Sequence, residues 1–169
     1  MPFDVSQYRV TLQDGRALAL KHYRPRTALT TIPVLALHGW LDNLDSFTPM
    51  AATLVGEGVE LVCVDLAGHG ESDHRAGNNP YLIVNDLADI AELLSLLGWE
   101  RACLLGHSRG ASISALFAAA LPERVIALGM IDRLWPEVYA ADASIAQIRA
   151  TLLQSQKAPR PYPSLEAMV

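Results

Sequence analysis

The sequence has few cysteines, few aromatic residues and no excess of positive charge. Its 169 residues include two cysteines, 7% aromatic residues, and 13 Lys and Arg against 18 Asp and Glu, for a net charge of -5. Because nucleic acids bind to basic stripes or patches, this balance predicts that no nucleic acid is a partner. Two cysteines cannot form a disulfide framework. Both Cys63 and Cys103 lie in apolar runs, where buried free thiols are common.

Long apolar runs and targeting signals are also lacking. No run approaches the roughly 18 apolar residues of a membrane span, and the start of the chain lacks the basic and apolar regions of a signal peptide. We therefore expect a cytoplasmic protein without a membrane partner.

His69, Asp73 and His74 share a polar loop without a recognised ligand spacing, which predicts a solvated loop and no metal. We expect no cofactor either, since Gly68-His69-Gly70 does not open a helix as a dinucleotide motif would.

What the sequence does contain is an alternation of apolar runs of strand length with helical patterns. Asp14-Gly15 separates two segments of period two and predicts an antiparallel hairpin. Later strands are apolar throughout, as is typical of a sheet covered on both faces. The predicted strands are residues 8–13, 16–23, 33–37, 59–64, 102–105 and 125–131, and the predicted helices are 47–57, 80–97 with Asn79 as its cap, 111–121 and 142–156. This order predicts an α/β fold with a mostly parallel sheet and helices on both faces.

One stretch, Gly106-His107-Ser108-Arg109-Gly110, lies between a predicted strand and a predicted helix. A serine at such a sharp turn has its hydroxyl lifted out of the sheet, and the flanking glycines let the neighbouring backbone pass close by. The backbone N–H of Arg109 then lies in the first turn of a helix, where negative charge is stabilised. The pattern predicts that Ser108 is a nucleophile and that the amide of Arg109 binds an oxyanion.

Polar residues follow the other apolar strands directly. His38-Gly39-Trp40, Asp65 and Asp132 each come at the end of a predicted strand, as the serine turn does. In open α/β sheets, ligands bind at the carboxyl ends of the strands. We therefore expect these residues to lie at one edge of the sheet and to form a site.

In these motifs the sequence resembles the α/β-hydrolase superfamily, and it is most similar to its serine hydrolase-like subgroup. The motifs occur in order as His38-Gly39-Trp40, Asp65-x-x-Gly68-x-Gly70-x-Ser72 and Gly106-x-Ser108-x-Gly110. The resemblance implies an α/β-hydrolase fold with a Ser-His-acid triad and no cofactor. It also implies an oxyanion hole made of the N–H groups of Trp40 and Arg109. The strand order of the family would place Cys63 and Cys103 on opposite sides of the strand 33–37, which excludes a disulfide.

The sequence departs from the family pattern at the histidine. In the family the triad histidine follows the serine late in the chain, whereas this sequence has no histidine after His107. His107 is adjacent to Ser108 on a sharp turn, so its ring projects away from the hydroxyl. We therefore expect the general base outside this chain, with residues 1–132 as the N-terminal part of the hydrolase core. Residues 133–169 are then the start of a lid region, and the last strands of the sheet are missing.

Several residues keep two interpretations. Asp132 is a candidate triad acid, and the alternatives are a later acid or a simple turn cap. Arg109 and Arg133 would attract a substrate carboxylate, and the alternative is that both are ion-paired or face the solvent. Trp135 and Tyr139 would line an acyl pocket or pack the lid onto the core. Asp65 is expected to bind the loop that follows it rather than take part in chemistry.

The leading hypothesis is a serine hydrolase acting on a small-molecule ester, thioester or related acyl bond. A serine at position 108 argues against haloalkane dehalogenases and epoxide hydrolases, which use an aspartate nucleophile, while carbon–carbon bond hydrolases and cofactor-free haloperoxidases stay open. The alternative is a catalytically inactive hydrolase fragment or a binding-only protein of the same fold. We expect the 169-residue chain alone to be inactive and to associate through an exposed sheet edge.

Overall fold

The computed structural model describes residues 3–27, 30–77 and 81–134. In chain order the elements are β1 (Phe3–Thr11), β2 (Ala17–Pro25), β3 (Ile32–Leu37), a 3-10 helix (Leu44–Phe47), α1 (Thr48–Gly56), β4 (Val59–Val64), α2 (Ile83–Leu96), β5 (Ala102–His107), α3 (Arg109–Ala120), a second 3-10 helix (Pro122–Arg124) and β6 (Val125–Ile131).

The six strands form one sheet in the order β1-β2-β4-β3-β5-β6. β1 and β2 form the predicted antiparallel hairpin, and β2 pairs antiparallel with β4. The four remaining strands run parallel to one another, with β3 between β4 and β5. The expected fold class, a mostly parallel α/β sheet, is therefore confirmed.

Helices cover both faces of this sheet because successive residues of the central strands point to opposite sides. In β3, Val34 and Ala36 pack with Phe47 and Val55 around α1. Leu35 and Leu37 point the other way, into a core that includes Phe117 and other side chains of α2 and α3. Each fully buried side chain of this kind contributes about 1.5–3 kcal/mol. The two cores therefore lie on opposite faces of β3.

The cysteines lie on strands that do not touch. Cys63 in β4 is opposite Ala36 and Cys103 in β5 is opposite Val34, so the whole of β3 separates them. Both thiols are free. The expected absence of a Cys63–Cys103 disulfide is confirmed.

The start of α2 differs from the prediction. The helix begins at Ile83 after an extended Leu82, with no side-chain cap, rather than after a cap at Asn79. Asn79 and Pro80 lie outside the described residues, as do the predicted helix 142–156, Trp135 and Tyr139. Of the predicted lid region 133–169, the structure describes only Arg133 and Leu134. Within the described part of the chain, no helix is long and apolar enough to cross a membrane.

Candidate active site

Ser108 lies at the sharp turn between β5 and α3. Its backbone has φ 49° and ψ -108°, a conformation that L-residues rarely adopt. Such a conformation costs on the order of 1–3 kcal/mol and persists only where the surroundings enforce it. Here the Ser108 N–H donates to the carbonyl of Ile131 at 3.0 Å, and the Ser108 carbonyl accepts from Ala111 and Ser112. The strand–turn–helix geometry predicted for this serine is present.

Both glycines of the turn are required because backbone atoms pass too close for a side chain. A Cβ at Gly106 would overlap the backbone of Gly110 and Ala111, and a Cβ at Gly110 would overlap the carbonyl of Leu37. The first contact brings the start of α3 back over the end of β5. The second places the start of α3 directly on the end of β3.

The turn after β3 lies against the serine. A Cβ built on Gly39 would be 3.0 Å from Nδ1 of His107 and 3.5 Å from Cβ of Ser108. Trp40 follows and is 58% exposed, and Leu41 has φ 56°. This left-handed conformation of a leucine was not predicted from the sequence. The structure therefore brings Gly39, the residue before Trp40, beside Ser108.

The amide of Arg109 occupies the first position of α3. The first N–H groups of a helix have no acceptor within the helix, and the helix dipole makes their surroundings positive. Negative charge that develops near Ser108 is therefore stabilised at this end of α3.

His38 is fully buried and holds the turn after β3 to the loop after β4. Its Nε2 accepts a hydrogen bond from the Leu66 N–H at 2.9 Å. Nδ1 therefore carries the proton and donates to the Gly39 carbonyl at 2.7 Å. Burial lowers the pKa of His38. Since both nitrogens are occupied in the neutral form, His38 is a structural residue.

Asp65 organises the same region from the end of β4. Its carboxylate accepts the N–H groups of Leu44 and Glu71, each at 2.8 Å, and its carbonyl accepts the Ser72 hydroxyl. It therefore joins the start of the first 3-10 helix to the loop after β4. The expectation that Asp65 binds the loop that follows it agrees with these contacts.

Arg109 is ion-paired and stacked. Its Nη2 donates to Oδ2 of Asp86 at 2.6 Å and to the Tyr81 carbonyl at 3.3 Å. The guanidinium carbon lies 5.5 Å from the centre of the Trp40 ring. Of the two interpretations of this side chain, the geometry favours the ion pair over a substrate carboxylate.

Asp132 follows β6 with φ 66°, and its side chain is 72% exposed. Its carboxylate is 3.9 Å from Nε2 of His107, whose Nδ1 is 3.8 Å from the Asp42 carboxylate. The His107 ring therefore lies between two acids and against Gly39. Asp132 is at the predicted edge of the sheet, and its role as the triad acid stays a prediction.

All five histidines of the chain are among the described residues, and none of them is hydrogen-bonded to the Ser108 hydroxyl there. His22 bonds Tyr8 and Glu60, His69 bonds the Ala67 carbonyl, and His74 bonds Tyr81. His38 and His107 have the partners given above. The described residues thus show a serine, its two candidate oxyanion amides and no histidine bonded to that serine. Groups of His, Cys, Asp and Glu that could hold a metal ion are also lacking among them.

A buried ionic network that was not predicted from the sequence lies beside the site. Asp86 and Asp89 of α2 are both buried, and Arg75 bonds to both. Arg16 donates twice to Asp89, at 2.7 and 3.1 Å. A signal was present, because Asp86 is three residues from Ile83 and four from Ile90, within the apolar face of the helix.

The sheet with its serine turn defines an α/β protein of the hydrolase type, and the comparisons with known proteins agree. Residues 32–156 match the alpha/beta hydrolase fold family. The chain therefore belongs to the α/β-hydrolase fold family.

The relatives are longer than this chain. A serine hydrolase-like protein of Dictyostelium discoideum is 32% identical over 126 residues, covering 73% of this chain and 34% of that protein. A serine hydrolase-like protein of Homo sapiens is 37% identical over 100 residues, covering 59% and 49%. A hypothetical protein of Pseudomonas aeruginosa PAO1 has a solved structure that matches with a TM-score of 0.79 and 40% identity, covering 96% of this chain and 57% of that one. The chain thus spans about a third to a half of the curated relatives it matches.

Proposed function

We propose that the protein is a serine hydrolase that acts on an ester, thioester or related acyl bond of a small molecule. The observation that carries the proposal is the strained Ser108 between β5 and α3, with Gly39 of the turn after β3 packed beside it. The names of the relatives, serine hydrolase-like proteins, support the same class of activity.

In this mechanism the Ser108 hydroxyl attacks the acyl carbon and its proton passes to a general base. The carbonyl oxygen becomes an oxyanion that accepts hydrogen bonds from the amides of Trp40 and Arg109. The leaving group then departs with a proton from the base, and water hydrolyses the acyl-serine. Because no histidine is bonded to Ser108 in the described residues, we place the base outside this chain. Asp132 or a later acid orients it.

The second candidate is a binding-only or inactive protein of the same fold. The observation that favours it is that none of the five histidines is hydrogen-bonded to the Ser108 hydroxyl in the described residues. A serine without a base is a weak nucleophile. The two candidates differ in one property. In a hydrolase site, Ser108 becomes reactive once a base is supplied. In a binding-only protein, Ser108 stays unreactive when the same base is added.

Labelling with a fluorophosphonate in the presence of added imidazole tests this difference. The serine oxygen displaces fluoride from phosphorus, and imidazole accepts the hydroxyl proton. We expect slow labelling of the 169-residue chain that accelerates with the imidazole concentration, at Ser108 as located by peptide mass spectrometry. Ser108→Ala should abolish it, and Ser112→Ala, one turn into α3, should not.

The same imidazole series is run on the chain unfolded in urea. If imidazole accelerates labelling of the folded chain no more than labelling of the unfolded chain, the hydrolase proposal is rejected and the binding-only one is supported. Rapid labelling without imidazole would show instead that a base is present in this chain. That result would keep Ser108 as the nucleophile and reject the placement of the base outside the chain.

A further inference from the structure

Three side chains connect the interior of α2 to the oxyanion turn. The carboxylate of Asp86, 1% exposed, accepts a hydrogen bond from Arg109, and the Arg109 guanidinium lies over the Trp40 ring. The amide of Trp40 is the second oxyanion donor of the proposed function. A buried carboxylate is thus linked through two contacts to a residue that would touch the reacting atoms.

The Arg109 guanidinium is not available to a substrate. Its side chain is 12% exposed, and Nη2 is occupied by Asp86 and Tyr81. Nη1 has no contact with solvent and no hydrogen-bond partner among the described residues. A substrate carboxylate would have to displace packed atoms to reach it. The side chain therefore acts on its neighbours in the protein.

Among the neighbours of the Arg109 side chain, Trp40 is the one that few other contacts hold in place. It lies in a turn where Leu41 is in the left-handed region, and 58% of its surface is exposed, so burial does little to hold it. The centre of its ring lies 5.5 Å from the Arg109 guanidinium carbon and 5.5 Å from the centre of the His69 ring, in a T-shaped arrangement. A cation over an indole face is attracted by the negative charge of that face. This contact restricts the ring and, through it, the backbone of the turn.

We propose that Asp86 and the Arg109 side chain are positioning residues that hold the Trp40 amide towards the Ser108 oxyanion. Asp86 fixes the plane of the guanidinium, and the guanidinium fixes the indole. The inference rests on the proposed function for the purpose of the amide. It goes beyond that function by assigning a role to two side chains that do not touch the substrate.

Asp89 provides a matched control. It lies one helical turn from Asp86 on α2, is also buried and also bonds Arg75, but its other partner is Arg16 rather than Arg109. Asp86→Asn and Asp89→Asn therefore both weaken the ionic network. Only the first loosens the guanidinium over Trp40.

The first experiment follows the environment of the Trp40 ring in the absence of a ligand. The chain is labelled with 5-fluorotryptophan, and the fluorine resonance of residue 40 is assigned from a Trp40→Phe variant. We expect Asp86→Asn to shift and broaden this resonance and to leave that of Trp99 unchanged. Asp89→Asn should leave both unchanged.

The second experiment measures the affinity of the oxyanion site for phenylboronic acid. The Ser108 oxygen bonds to boron, its proton goes to solvent, and boron becomes a tetrahedral anion that mimics the oxyanion and is visible by boron NMR. This equilibrium requires no general base. We expect Asp86→Asn to weaken the affinity about tenfold, a part of the loss expected for an oxyanion donor, and Asp89→Asn to leave it unchanged.

The outcomes separate the two proposals. No tetrahedral boron signal with the unsubstituted chain, or the same signal with Ser108→Ala, overturns the proposed function. Equal affinities of Asp86→Asn and Asp89→Asn, or an unmoved Trp40 resonance in Asp86→Asn, overturn the positioning role alone. If Asp86→Asn does not fold, Asp86→Glu and Asp89→Glu take the places of the two variants, because each keeps the buried charge and lengthens the side chain by one methylene. A lower boronate affinity in Asp86→Glu than in Asp89→Glu then supports the proposal, and equal affinities overturn it.

Discussion

Gly110, in the first turn of α3, lies against the carbonyl of Leu37 at the end of β3, with no space for a Cβ between them. Both contacting groups are backbone, so neither can rotate away. This contact seats α3 on the sheet. It also sets how far the Arg109 amide lies from the turn after β3.

Gly110→Ala should therefore destabilise the fold strongly. We expect the free energy of unfolding to fall by about 3 kcal/mol, because overpacking against backbone forces α3 away from β3. The measurement is urea unfolding followed by circular dichroism. Gly56→Ala is the control: a Cβ there meets nothing within 4 Å, and alanine in the helix should increase stability by about 0.5–1 kcal/mol. Similar values for the two variants would contradict the prediction.

Stability should decrease in mild acid because of His38. Burial lowers the pKa of His38 below its usual value of 6.5. As the pH falls through about 6.5, the unfolded chain therefore binds a proton that the folded chain does not, and the free energy of unfolding decreases. One such group gives a slope of at most about 1.4 kcal/mol per pH unit.

His38→Asn should reduce this slope, as measured by urea unfolding at a series of pH values between neutral and mildly acidic. Ser72→Ala is the matched control, because it removes hydrogen bonds to Ala19 and Asp65 in the same region without removing a titrating group. The His38 explanation fails if both variants keep the slope of the unsubstituted chain.

The thiols should be reduced and unequal in reactivity. Burial raises the pKa of Cys63 to about 12 and raises that of Cys103 as well, and Cys63 is the more buried of the two. We expect Ellman's reagent at mildly basic pH to leave Cys63 unmodified in the folded chain and to detect both cysteines in denaturant. Cys103→Ser should remove any reaction of the folded chain. Fewer than two thiols in denaturant without reductant would indicate a disulfide.

The edge strand β6 should promote self-association of the 169-residue chain. Within the described residues β6 pairs only with β5, and its residues Ile126 and Leu128 are 49% and 38% exposed. Exposed strand edges with apolar faces invite pairing with another chain.

We expect Ile126→Lys to lower the association measured by sedimentation velocity. Val5→Lys, at an exposed position of β1 on the opposite edge of the sheet, should lower it less. A monodisperse monomer before any substitution would contradict the prediction.

Much of the architecture was predictable because it depends on short-range patterns. The hairpin followed from period-two alternation around Asp14-Gly15, and the apolar runs at 33–37 and 59–64 became β3 and β4. The start of α2 was not predictable in the same way. Asn79-Pro80 is a favourable local start signal, but the helix begins three residues after Pro80, at Ile83.

The candidate site also has a part that could be predicted from short-range patterns and a part that could not. Ser108, its flanking glycines and the turn at Trp40 are adjacent along the chain to the strands that present them, so their motifs could be read directly. The support around them could not. Asp86 reaches Arg109 across 23 residues and Asp89 reaches Arg16 across 73, and nothing local in the sequence says which arginine a given aspartate meets.

By itself, the sequence determined the class of fold, the strained serine and the absence of a histidine after position 107, since these depend on residue type, local order and chain content. Only the tertiary structure decided that His38 is locked as a structural residue and that Arg109 pairs with Asp86 beneath an exposed tryptophan. These are consequences of which strands become neighbours in the sheet. The packing that brings β3 between β4 and β5 selects those partners, and a pattern along one strand does not contain it.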